Sequence, residues 1–341
     1  MSLSSNITTQ HRDISLASLP VGERQLLLKN IFIEHSRFRE AWESIRRAHY
    51  PVVGGIPDFG SLSVMAGESR AGKSFVAERY VKDHPPIMTD SGMLFPVIRV
   101  DVPIDGQRAL LESIAEALDL KFSLRINNQA LLSMILGAAA SQKVELILFD
   151  EVQTILSLET PKLVAFARHL FRKLLNMKTL NIICIGLEQT YTFMAADPQL
   201  TGRGGLPCEF VRPYSWESAD EQKLFRLLCD EFDKRLPFNQ RSNFKSVWFA
   251  QRLYHATKGN IGRLSDIIFS AGCLAINDAA DSIEVRHFVE VYDRRKSRQV
   301  EFNPFVHDLA LAPKAEPEST KLSGVSPREL FSKKRRAHEH A

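Results

Sequence analysis

The stretch GESRAGKS, residues 67–74, constrains the fold more than any other part of the chain. It fits the pattern G-x-x-x-x-G-K-[ST], a phosphate-binding loop that needs a strand before it and a helix after it. Gly67 and Gly72 permit backbone geometry that a side chain would block, so successive N–H groups can face an anion. Glu68, Ser69, Arg70 and Ala71 lend their backbone to the same cradle, with Phe75 closing it. Lys73 puts a point charge on the terminal phosphates, and the Ser74 hydroxyl is placed to ligate Mg2+. The next helix presents its N-terminus to the phosphates. The flanks agree: SLSVMA (61–66) suits a buried strand, and FVAERYVKDH (75–84) carries apolar residues at helical spacing.

A second half of the site lies in VELILFDE (144–151), an apolar strand ending in two carboxylates. An ordinary buried strand with a solvated acidic end would look the same. After a phosphate loop, however, Asp150 is placed to hold the Mg2+ shell, and Glu151 to polarise an attacking water. A base beside the metal carboxylate suits hydrolysis. The chain has no N-K-x-D guanine-reading signature, so ATP is the expected nucleotide rather than GTP.

Strands are expected near 62–66, 95–102, 145–150, 181–186 and 208–212, alternating with helices as a parallel sheet requires. The fold class is therefore α/β, with the nucleotide core at 61–213. Residues 22–50 read as helical, and 1–60 form an N-terminal extension. From 214 to 300 the pattern is wholly helical, a lid on the core. Residues 301–341 read as a flexible tail with a basic end. The chain's 341 residues, 44% hydrophobic and 25% charged, suffice for a sizeable core. A net charge of +4 permits nucleic-acid contact without requiring it. The four cysteines lack C-x-x-C spacing and read as reduced thiols of a bacterial cytoplasmic protein. No apolar run is long enough to span a membrane.

An α/β nucleotide core followed by a helical lid is the AAA+ layout. The chain resembles the TniB/TnsC family of transposition-regulating AAA+ ATPases, some members of which are CRISPR-associated. The N-terminal helical region, GESRAGKS, LILFDE, DPQLTGR and GNIGRLSDII carry the resemblance, across residues 22–295. It implies a homo-oligomeric ring or filament, built with ATP on double-stranded DNA. It also implies a link between a TniQ-like target-selection protein and the transposase. Arg203 matches the family's arginine finger, which reaches the next subunit's γ-phosphate. Here Gly204 and Gly205 follow it, where the family often has an aromatic residue. Arg263, in GNIGRLSDII (259–268), matches the lid arginine that reaches ATP in its own subunit. The polar sensor residue should follow NIICIG; Leu187 is apolar, leaving Glu188 or, preferably, Gln189.

Ring-forming AAA+ proteins contact DNA between the second strand and the acidic strand. That stretch holds Arg108, Lys121, Arg125, Asn127 and Asn128, which as a group can track a phosphate backbone. Each taken alone is an ordinary solvated side chain, as are the basic clusters DRRKSR (293–298) and KKRR (333–336). Three rival readings remain: a helicase-loader or origin-type ATPase, a protein-only signalling NTPase, and a small-molecule kinase. The few residues after 295 disfavour the winged helix expected of the first. The second lacks sensor or repeat domains, and the third lacks an acceptor-substrate element.

Overall fold

The structure is a computed structural model that describes residues 16–90, 92–157, 161–202, 205–296 and 301–312. Its centre is a five-stranded parallel sheet. The strands are β1 (Leu62–Gly67), β4 (Val97–Asp101), β5 (Leu146–Asp150), β6 (Asn181–Gly186) and β7 (Cys208–Val211), in the order β4-β5-β6-β1-β7. β1 pairs with both β6 and β7, and β5 with β4 and β6. A small hairpin, β2 (Ile87–Thr89) with β3 (Gly92–Leu94), precedes β4. Helices cover both faces of the main sheet, so its strands are apolar on both sides.

Two-residue periodicity divides the core. Leu146 and Leu148 pack on one side with α2 (Ser36–His49) and α3 (Lys73–Asp83), through Phe38, Ile45, Val76 and Tyr80. Ile147 and Phe149 pack on the other, against α4 (Gln107–Ala117), α5 (Asn128–Ser141) and α7 (Pro161–Asn176). Short helices α6 (Gln153–Ser157) and α8 (Glu188–Ala195) follow the C-terminal ends of β5 and β6, and α9 (Pro198–Thr201) follows α8. The lid has its own core, formed by α10 (Ala219–Arg235), α11 (Val247–Thr257), α12 (Ile261–Asn277) and α13 (Val285–Arg295).

Two segments differ from the expectation. Residues 22–50 are not one helix. α1 (Val21–Lys29) ends at Asn30, and α2 begins after His35, whose Nδ1 accepts the Phe38 N–H at 3.3 Å. Between them Ile31, Phe32 and Ile33 turn toward the protein, since their side chains are better buried than strung along an exposed helix. Leu28 of α1 joins the lid core while α2 joins the sheet, so the N-terminal region belongs to both bodies. Likewise, the tail does not leave the protein at 301. Phe305 is buried in the lid and stacks on Phe288 with ring centroids 5.2 Å apart. Buried Asn303 donates to Val289 O and to Asp293 Oδ1. Residues 313–341, including KKRR, lie outside the described residues. No described helix is long and apolar enough to cross a membrane.

Candidate nucleotide site

The phosphate loop sits at the C-terminal end of β1, which lies between β6 and β7. Ligands collect at such an edge in open parallel sheets. A Cβ on Gly67 would collide with the Val211 carbonyl of β7, so only glycine fits there. Gly72, at φ +94°, makes the turn into α3, and no side chain caps that helix. Arg70 adopts the left-handed backbone, φ +64°, which turns the loop over. Lys73 is buried and folds back onto the loop, donating to Gly67 O at 2.9 Å and Glu68 O at 2.7 Å. Burial pushes its ammonium below the ordinary lysine range, while Glu151, Asp150 and Glu68 pull the other way.

β5 brings the carboxylates to the same edge. Asp150 is buried and its Oδ1 accepts the Glu151 N–H at 2.9 Å. Its Oδ2 has no hydrogen-bond partner, although the Arg99 guanidinium on β4 lies 3.0 Å away. Arg99 also pairs with Asp101 at 2.7 Å. Glu151 leaves the strand with φ +58°, an uncommon conformation for a glutamate, and its side chain is exposed. Lys73, Ser74 and Glu151 border one cavity. An uncapped helix start, a buried cation and an orphaned carboxylate oxygen together fit a phosphate chain with a divalent ion. Among the described residues, no cluster of three or more acidic, histidine or cysteine side chains would hold a metal alone.

The lid closes on this loop through the start of α12. The Gly262 N–H donates to Arg70 O at 3.0 Å, and Asn260 Nδ2 donates to Ser69 O at 2.9 Å. Asn260 also caps α12, accepting the Arg263 N–H at 3.2 Å. Arg70 forms an ion pair with Asp266, one turn along the lid helix. Beside the phosphate cavity lies an apolar one, walled by Phe32, Phe38, Phe75 and Ile261 and bordered by His35. Burial, helped by Arg37 and Arg39, lowers the His35 pKa to about 4, so its ring is neutral near pH 7.

The remaining expected residues fall differently. Arg203 lies outside the described residues. Arg263 is exposed and lines a neighbouring cleft with Arg70, Arg295 and Lys296, and it is Asp266 that borders the phosphate cavity. Glu188 and Gln189 are exposed in the first turn of α8, away from the cavity wall. Leu187 and Gln153 stand there instead. Gln153 escaped the sequence reading; its place two residues beyond Glu151 was the available signal. Arg108 is engaged internally, pairing with Glu112 at 2.7 Å and donating to Ile126 O at 2.5 Å. Asn127 caps α5 by accepting the Ala130 N–H at 2.8 Å, and Asn128 is that helix's first residue. Lys121 and Arg125 are exposed on the loop that Arg108 holds.

Residues 27–204 match the family described as Bacterial TniB protein. The chain belongs to the TniB family. The match runs from α1 through the phosphate loop and acidic strand to the segment after α9. No curated protein sequence matches the chain. Among solved structures, the Aeropyrum pernix ORC2 protein (ADPNP-ADP complexes) is similar, with a TM-score of 0.57 at 15% identity. That likeness covers 81% of this chain and 73% of that one. Pyrobaculum aerophilum Cdc6p gives 0.57 at 13% identity, covering 79% and 70%. The Aeropyrum pernix ORC1 protein in complex with DNA gives 0.57 at 14% identity, covering 80% and 69%. At such identities the likeness establishes the fold, which is that of an AAA+ ATPase with a helical lid.

Proposed function

We propose that this TniB-family chain is a regulatory AAA+ ATPase. It assembles with ATP on double-stranded DNA and couples target-site selection to a transposase. The observation that carries the reading is the family match across the phosphate loop and acidic strand, which border one cavity that the start of the lid helix α12 also reaches. In this reading the loop backbone and Lys73 hold the phosphates, Ser74 and Asp150 ligate Mg2+, and the apolar cavity around Phe32 takes the adenine. Glu151 accepts a proton from the attacking water. Mg2+ supplies charge neutralisation of the phosphates. Arg203 acts on the neighbouring subunit's nucleotide, and Arg263 serves from the lid.

The start of α12 contacts the phosphate loop, so in this reading a nucleotide there changes the angle between lid and core. In an oligomer that angle sets the geometry of the next subunit. Each subunit then adds a few phosphate contacts, from Lys121, Arg125 and their neighbours, and these sum along the duplex. A TniQ-like target selector and transposase subunits are the expected protein partners. An origin-type ATPase is the second reading, favoured by the fold shared with DNA-bound ORC1. The test is duplex binding followed by fluorescence anisotropy with ATP, ADP and no nucleotide. The proposal expects sequence-tolerant binding with ATP only. Strong preference for one sequence favours the origin reading, and no duplex binding under any nucleotide refutes both.

A further inference from the structure

We propose that Gln153 is the positioning residue of the hydrolytic base, holding Glu151 by one oxygen and tying it to the tip of β6. The inference rests on the ATPase reading above and names a residue that the reading does not use. The Gln153 side-chain amide is clamped at both ends. Its Oε1 accepts the Leu187 N–H at 3.1 Å, just beyond β6. A backbone N–H can only donate, so this contact fixes which end of the amide is oxygen. The Nε2 end therefore faces the Glu151 carboxylate and donates to its Oε2.

The tip of β6 lies close against this amide. A Cβ on Gly186 would stand 2.5 Å from Gln153 Oε1 and would also collide with Thr190 Oγ1. Glycine at the tip of β6 is thus what admits the glutamine. Without the clamp, Glu151 is an exposed side chain on a left-handed corner, free among several rotamers. With it, Oε2 is engaged and Oε1 is the oxygen left to take a proton. In the hydrolysis step, the water oxygen bonds to the γ-phosphorus as the bond to the β–γ bridging oxygen breaks. ADP leaves with that electron pair, and the water's proton passes to Glu151 Oε1. Holding the acceptor oxygen still is an orientation effect, so it acts on turnover and leaves ATP affinity alone.

The test is steady-state ATP hydrolysis by the full chain with Mg2+, reading kcat and KM for ATP separately. Gln153→Leu keeps the volume and removes both contacts; kcat should fall by about 10- to 100-fold with KM for ATP little changed. Gln153→Glu keeps the acceptor for Leu187 but sets a second carboxylate beside Glu151. With no donor left for Glu151 Oε2, kcat should fall as in Gln153→Leu, again with KM for ATP little changed. Gly186→Ala leaves residue 153 intact yet displaces it, and should reproduce the kcat loss even if Gln153→Leu fails to fold. Wild-type kcat in Gln153→Leu or in Gln153→Glu overturns the proposal while Glu151→Gln remains inactive. Equal hydrolysis by the wild type and Glu151→Gln overturns the base assignment, and the proposal with it.

Discussion

Gly262→Ala tests whether the lid and the phosphate loop act as one unit. An added Cβ would lie 2.7 Å from the Arg70 carbonyl oxygen and 2.8 Å from Arg70 Cβ, whereas ordinary contact begins near 3.4 Å. Both atoms belong to the loop's backbone or its first side-chain carbon, so neither can swing aside. α12 must retreat by most of an ångström, stretching the Gly262 N–H bond to Arg70 O beyond its present 3.0 Å. Overpacking of this kind costs about 1–3 kcal/mol. If that cost falls on lid docking, nucleotide binding should weaken by about 5- to 150-fold. Titration with a fluorescent ATP analogue measures the affinity, and thermal melts follow the fold. Gly137→Ala is the control, because its Cβ would meet open space on α5. That change should be neutral or stabilising by up to about 1 kcal/mol. Wild-type affinity in Gly262→Ala would refute the coupling of lid to loop.

Further outcomes follow from the same geometry. Lys73→Ala should abolish ATP binding, because the cavity loses its buried ammonium; Glu151→Gln should still bind ATP, hydrolyse it poorly and accumulate assemblies, all measurable by filter binding and phosphate release. Burial lowers the His35 pKa to about 4 and the His49 pKa to about 3. The unfolded chain therefore binds more protons than the folded one below about pH 6.5, and stability should fall as pH drops from there toward 4. Melting temperatures across that range check it, and His35→Asn should lessen the loss, because it keeps a capping acceptor that does not titrate. Removing Lys121 and Arg125 together should reduce the salt slope of DNA binding by roughly two units per contacting subunit and leave ATP affinity intact. An unchanged slope would free those residues of the role.

The sheet was legible because each strand is a short apolar run ending at a turn or a charged residue, and all five fall within two residues of the expected positions. The loop at 67–74 and the pair Asp150–Glu151 were legible because their chemistry depends on contiguous residues. What escaped the sequence depends on contacts between distant segments. The break at Asn30–His35 depends on Ile31, Phe32 and Ile33 packing against cores built from distant segments. Arg99 reaches Asp150 only because β4 and β5 lie side by side with Asp101 opposite Asp150. Arg108 and Asn127 bear the right chemistry for phosphate contacts, yet here they hold a loop and cap a helix. In GNIGR, sequence reading singled out Arg263 but did not show that Asn260 and Gly262 would grip the phosphate loop.

Electron microscopy of the purified chain with duplex DNA tests the central claim most directly, comparing a slowly hydrolysed ATP analogue, ADP and no nucleotide. The account predicts rings or filaments on DNA with the analogue, none without nucleotide, and none for Lys73→Ala under any condition. Assemblies of Lys73→Ala equal to wild type, or a chain that stays monomeric beside DNA and the ATP analogue, would contradict it.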